Sequence, residues 1–211
     1  MNYNKCPNCE KSLKGFFGYD LILQSKIDFI NKHTNANTKA YCTNCASELL
    51  QKIADNFRKE KGDIENRLAQ IIHYIPVMTS PAPVKWDYEV VGIITAQTTS
   101  GTGFAAELSR SFNDFFGMGS NTTNQKVERA TNLCKADLRV KCVRNGGNAI
   151  ISTDIDFNEI GAGTTNMLMV CMSGTAIRVT DMDNFSNNHR DTIIEIIELT
   201  EKLDAINQEN G

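Results

Sequence analysis

The chain has 211 residues, 41% apolar and 22% charged, a composition that excludes disordered and collagen-like classes and leaves room for one large domain or two small ones. Its formal net charge of -3 gives no electrostatic case for nucleic acid, whose binders carry a basic patch or stripe. No apolar run approaches the roughly 20 residues a spanning helix needs, and the opening MNYNKCPNCEK lacks the basic and apolar parts of a secretory signal, so a cytoplasmic chain with no membrane partner is expected.

Seven cysteines, four of them in two C-x-x-C pairs, read in such a chain as metal ligands or redox pairs before disulfides. Cys6 and Cys9 in CPNCEKSL, with Cys42 and Cys45 in YCTNCASEL, supply the four sulfurs of a closed tetrahedral site. Each pair forms a knuckle that sets both sulfurs about 2.3 Å from one zinc ion. The second pair opens a helix, where unpaired N–H groups and the positive end of the dipole favour thiolate. A thioredoxin-like redox motif is the alternative, but it needs a strand before a single C-x-x-C, and no apolar strand precedes either pair. Structural zinc is therefore expected. His33 is a ligand only in principle; as a lone loop histidine it is expected to be solvated.

The arrangement resembles a treble-clef or zinc-ribbon module, and CPNCEKSLKGFFGYDL followed by AYCTNC is similar to small bacterial zinc fingers with a C-x-x-C-x-K-L opening. The gap is longer here. Ile22, Ile27, Phe29 and Ile30 repeat at helical spacing within it, which leaves room for an inserted helix. Residues 1–80 carry 11 Lys and Arg against 8 Asp and Glu, an excess that four zinc-bound thiolates would largely cancel, whereas 81–211 carry 11 against 17.

From Ala46 to Tyr74, Leu49, Leu50, Ile53, Ala54 and Phe57, then Ile64, Leu68, Ile71 and Ile72, predict two helices with a break at Lys59 to Gly62. PVMTSPAPVKW holds three of the four prolines and predicts an extended linker. The expected organisation is a zinc module with helices at 1–78, a linker at 79–87, a second domain at 88–181 and a C-terminal helix at 182–211.

In that second domain, YEVVGIITAQ predicts a strand and AAELSRSFNDFFG a helix with Leu108, Phe112, Phe115 and Phe116 on one side. After the loop GMGSNTTN, a capping box of Thr122 and Gln125 starts a long helix that runs to about Val143, and NGGN supplies its C-cap glycine. NAIISTDIDFNEIG and NMLMVCMSGTAIRV are then two strands joined by GAGTT. Both faces of the last strand look largely apolar: Met167, Met169, Cys171, Ile177 and Val179 on one, Leu168, Val170, Met172 and Ala176 on the other. One helical layer covers only one face, so the other is expected to meet a second subunit, with the small residues Ser173 to Ala176 letting another backbone approach.

The segments Gly147-Asn148-Ala149-Ile150, Asp154-Ile155-Asp156-Phe157, Glu159-Ile160-Gly161, Met167-Leu168-Met169-Val170 and Ser173-Gly174-Thr175-Ala176 resemble the YbjQ-like family, often labelled heavy-metal-binding, over roughly residues 84–180. GTGFAAELSRSFNDFFG is similar to that family's first helix. The resemblance implies a small β-α-β-β domain, dodecin-like in topology, that assembles into a ring, usually a pentamer. The chain departs from the family in GMGSNTTN, where a basic Gly-Arg sequence is more usual, and in its added cysteines. The fold class expected is α+β.

Cys134 and Cys142 share a helix face, but eight residues separate them by about 12 Å, too far for one ion. Together with Cys171 they read as core filler. Asp154 and Asp156 alternate onto one sheet face about 6.6 Å apart, with Glu159 beyond, and are either cation or ligand groups at a ring interface or caps of neighbouring loops. The histidines at 33, 73 and 189 leave the core of the second domain without a base, and GTGF and GAGTT lack the lysine of a phosphate loop. In the tail, Ile193, Ile196, Ile197, Leu203 and Ile206 predict an amphipathic helix that docks on its own domain or pairs as a short coiled coil.

The function these features point to is a non-enzymatic, ring-forming homo-oligomer that carries one zinc module per subunit and meets an unknown protein partner or small ligand. A metal-binding or sensing protein is the first alternative. An enzyme at an inter-subunit cleft and a zinc-finger nucleic-acid binder are the others.

Overall fold

The structure, a computed structural model, describes residues 3–13, 20–99, 123–160 and 167–210. The chain divides into two compact units, Met1–Lys61 and Gly62–Gly211. It is α+β, with α1 (Gln24–Thr34), α2 (Thr43–Ile71), β1 (Tyr88–Thr99), α3 (Thr123–Arg144), β2 (Ala149–Ile160), β3 (Met167–Val179) and α4 (Asn187–Asn210). The helix expected around Leu108 to Phe116, residue Thr122 of the capping box and the GAGTT loop lie outside the described residues.

In unit 1, α1 buries Ile27 and Ile30, and Asn35 ends it in a left-handed conformation with its N–H on the carbonyl of Asn31. These residues pack with Cys6, Ala40, Tyr41, Cys42, Cys45, Ala46 and Ile53 into one core. The expected break in the next helix is absent: α2 runs unbroken from Thr43 to Ile71 and ends in a 3-10 turn at Ile72–Tyr74. The apolar stripe explains this, because Ile53, Phe57, Ile64, Leu68 and Ile71 stay in phase across Gly62. A single glycine costs only about 1 kcal/mol.

In unit 2 the three strands form an antiparallel sheet in the order β1-β3-β2. Helix α3 covers one face, packing Ala130, Cys134, Leu138 and Cys142 against Ile94, Ala96, Ile150, Val170, Met172 and Ala176. Its C-terminus is a Schellman cap: Gly146, at φ 83°, donates to the carbonyl of Val143 at 2.8 Å, and Gly147 donates to that of Cys142 at 2.9 Å. The Pro-rich stretch is extended, yet it is bonded to the sheet. Pro76 to Ser80 run beside the start of β2, with Ile150 N–H on the Pro76 carbonyl and Met78 N–H on that of Ile150, both at 2.9 Å. Main-chain groups alone make this pairing, and it covers part of an edge that would otherwise be open.

The tail helix docks on its own domain. Ile193, Ile196, Thr200, Leu203 and Ile206 are buried, and α4 packs against α3 and the 3-10 turn. Arg67 forks onto Glu195 at 2.6 and 2.8 Å, and Arg144 reaches Asp204 at 2.9 Å.

Candidate metal centre and the open sheet face

The first knuckle is a tight turn in which Glu10 N–H bonds the Cys6 carbonyl and Cys6 N–H bonds that of Lys11, both at 2.8 Å. Glu10 takes a left-handed φ of 60° to close it. The second knuckle is the start of α2, where Ala46 N–H bonds the Cys42 carbonyl at 2.9 Å. Two more bonds hold the approach to it: Ile22 N–H to the Tyr41 carbonyl and Thr43 N–H to that of Asp20. Asn31 on α1 fixes the intervening loop, accepting from the Tyr41 hydroxyl at 2.8 Å and donating to the Thr38 carbonyl at 2.9 Å. Sequence reading did not single out Asn31, because its role depends on a partner ten residues away.

These elements bring Cys6, Cys9, Cys42 and Cys45 together, with all four sulfurs within 4.8 Å of one another. Cys9 Sγ lies 3.8 Å from Cys42 Sγ, which matches the roughly 3.8 Å edge of a tetrahedron with metal–sulfur bonds of about 2.3 Å. The donor set therefore fits a thiophilic divalent metal. Burial works to raise the Cys6 thiol, but N–H groups of Asn8, Cys9 and Cys42 and the Cys9 thiol outweigh it and bring it down to about 7. Burial, with Cys9 and Cys42 beside it, pushes Cys45 up to about 12. Such a crowded set of thiols releases its protons when a cation takes their place. His33 is placed differently from expectation: it lies in the last turn of α1, its ring 4.5 Å from Phe29 and 5.0 Å from Phe57, outside the four-sulfur group.

In unit 2, Cys134 and Cys142 are buried in the core, where desolvation pushes each thiol up to about 12. Cys171 departs from the core-filler expectation. It is half-buried and faces a cavity. The expected apolar second face of the sheet is also corrected. Ile177 and Val179 are already buried within the chain, and the middle of the open face is polar.

Two rows cross the three strands there: Thr95, Ser173 and Asp154, then Gln97, Cys171 and Asp156. They line a half-open cavity of about 430 Å³, with Lys141 at its side. Lys141 is already engaged, at 2.9 Å from Asp137 and 2.8 Å from the Thr95 carbonyl. The carboxylates of Asp154 and Asp156 make no hydrogen bond or ion pair among the described residues. The Glu159 side chain lies outside the described residues.

A bulge between Ile151 and Asp154 creates this pattern, with Ser152 and Thr153 both opposite Gly174. Simple alternation from the buried Ile150 would turn Asp154 and Asp156 inward; the extra residue turns them out and Ile155 in. Ser152 sits at φ 52° to make the bend, and the Thr153 hydroxyl is buried with no hydrogen-bond partner among the described residues. The small stretch Ser173 to Ala176 also has an internal reason: a Cβ on Gly174 would lie 2.7 Å from Ile150 Cγ2 and 3.1 Å from Thr153 Oγ1.

The fold and the cysteine cluster define an α+β chain with a four-cysteine cluster in its first unit and a helix-covered antiparallel sheet in its second. Residues 75–180 match the YbjQ family model, described as "Putative heavy-metal-binding", and the chain belongs to this family, known also as UPF0145. Over 89 residues it is 33% identical to the UPF0145 protein of Carboxydothermus hydrogenoformans, a match that spans 42% of this chain and 80% of that one. With the UPF0145 protein of Acetivibrio thermocellus the identity is 34% over 89 residues, spanning 42% of this chain and 83% of that one. A crystal structure of a protein of unknown function from Pediococcus pentosaceus is similar at 17% identity and a TM-score of 0.33, over 49% of this chain and 95% of that one. The four cysteines precede the matched segment. Among the described residues, no helix is long and apolar enough to cross a membrane.

Proposed function

We propose that unit 1 holds one zinc ion at Cys6, Cys9, Cys42 and Cys45 in a structural role, and that unit 2 assembles with copies of itself into a ring. The convergence of four sulfurs carries the first part. A closed all-sulfur tetrahedron suits zinc, and with three of the four cysteines in the unit 1 core the ion would act as part of that core. When bound, zinc offsets two of the four thiolate charges and cross-links the two knuckles.

Assembly draws its support from the family resemblance, which implies a dodecin-like, commonly pentameric ring, and from the edge strand β1. There Val90 and Ile93 are 67% and 82% exposed. A second copy is the occupant proposed for this edge. The cavity flanked by Asp154 and Asp156, with Glu159 beyond them in β2, is proposed as a small-ligand or cation site at the subunit interface. Read this way the chain is a non-enzymatic cytoplasmic scaffold, and modules repeated around a ring gain avidity for a repeated protein partner.

Native mass spectrometry of the full chain tests both parts. One zinc per subunit and a closed ring are expected, and Ile93→Lys should shift the ring toward monomers that keep their helical and strand content. A metal-free monomer at micromolar concentration would overturn the proposal. A second reading, heavy-metal binding by unit 2, is favoured by the half-buried Cys171 beside Asp156. It predicts a second metal per subunit that is lost in Asp154→Asn/Asp156→Asn.

A further inference from the structure

Access to the four sulfurs is uneven. Cys6, Cys42 and Cys45 are buried, and Cys9 alone of the four is half-exposed. Its sulfur lies 3.8 Å from that of Cys42, on the opposite knuckle. A disulfide needs about 2.05 Å between sulfurs, so a movement of under about 2 Å would join them. Cys42 and Cys45 flank the first residues of α2 and share the unit 1 core with Tyr41, Ile27, Ile30 and Ile53. A change at this pair therefore reaches both a helix start and a core.

We propose that the four-sulfur site is a redox switch, in which a hydroperoxide converts Cys9 and Cys42 to a disulfide and the metal leaves. The inference rests on the reading that the site holds zinc. In the first step the Cys9 thiolate attacks the peroxide, the O–O bond breaks, and Cys9 sulfenic acid forms with release of hydroxide (or alkoxide). In the second, the Cys42 thiolate attacks the Cys9 sulfur, the S–O bond breaks and a second hydroxide leaves. Two electrons pass from the two sulfurs to the peroxide, and each released oxyanion takes a proton from solvent. Two remaining sulfurs, Cys6 and Cys45, make an incomplete set for zinc, so the ion is released and the packing around the start of α2 loosens. Cys134 and Cys142, fully buried in the core of unit 2, are shielded from the oxidant. Cys171 is half-buried and serves as the internal comparison.

The test uses the zinc-loaded full chain, hydrogen peroxide and a chromophoric zinc chelator, with intact-mass and peptide mapping after blocking free thiols. The expected result is one zinc released per two thiols lost, a mass lower by about 2 Da before blocking and two fewer blocking groups after it, a peptide joining Cys9 to Cys42, and recovery with dithiothreitol and zinc. Cys171→Ser should release zinc as the wild type does. Zinc retained while Cys171 is oxidised, a bridge between Cys6 and Cys9, or release with sulfinic acid and no disulfide would each overturn the switch. A chain that holds no zinc before peroxide is added overturns the metal reading itself, so the two failures are told apart.

Discussion

Asn148 and Val179 exchange two hydrogen bonds through one side chain: the Asn148 carboxamide oxygen accepts from Val179 N–H at 2.7 Å, and its amide donates to the Val179 carbonyl at 3.0 Å. With Asn148 N–H on the Ile177 carbonyl at 2.9 Å, the end of β3 is paired before β2 has begun. The residue is 4% exposed, so an unmet partner there has no water to turn to. Asn148→Ala should cost about 1–3 kcal/mol and lower the urea midpoint of unit 2. An unchanged midpoint would count against this pairing.

Gly174 has no room for a methyl group, with Ile150 Cγ2 only 2.7 Å from where its Cβ would lie. Gly174→Ala should destabilise by about 1–3 kcal/mol. Combined with Ile150→Ala the loss should be less than additive, because the second change removes the atom struck by the first. Thermal denaturation of the two single variants and the double variant measures this coupling.

Gly62 is the opposite case. Nothing lies within 4 Å of a Cβ placed on it, and it sits in the interior of α2. Gly62→Ala should therefore stabilise the chain by about 0.5–1 kcal/mol with a small gain in helical ellipticity. A chain that instead broke into two helices near Lys59 would show no such gain.

Metal removal should act on unit 1. With the proposed zinc bound, chelation or Cys42→Ser is expected to abolish its retention and expose the tyrosine at position 41, raising its quenching by iodide, while Cys134→Ala leaves the metal content unchanged. Acid should release the ion, since protons compete for the same sulfurs. Zinc content against pH after gel filtration checks this.

The Arg67 guanidinium, bonded to Glu195, holds that carboxyl below its ordinary value. A group whose folded pKa is depressed adds stability above its unfolded value and loses it as pH falls through the folded one. The wild type should thus exceed Glu195→Gln in melting temperature near neutrality, with the gap closing below the ordinary carboxylate range. Both side chains are substantially exposed, so the gap should also shrink in high salt.

Spacing made the cysteine knuckles legible, because a C-x-x-C can present two sulfurs to one ion with few other uses for the pattern. The signals at its two ends made α3 legible, β-branched content made β1 legible, and apolar period did the same for the docked α4. Gly62 misled because a breaker acts locally, whereas the stripe through Phe57 and Ile64 acts over the whole helix. The pairing of Pro76 to Ser80 with β2 was hidden because main-chain groups make it, and they carry no side-chain signature. Cys171 and its polar neighbours were hidden for another reason: the count of apolar residues along β3 cannot say which strands lie on either side or what they present.

Ser152 and Thr153 share one place opposite Gly174, and that surplus residue works like a reading frame for everything after it in β2. Removing either one would swap inside for outside along the strand, or force the chain to surrender its bonds to Met78 and Ser80 to avoid the swap. Insertions and deletions at this spot should therefore be far less tolerated than substitutions, and a gap misplaced by one column between related chains would assign Asp154 and Asp156 to the wrong side of the sheet.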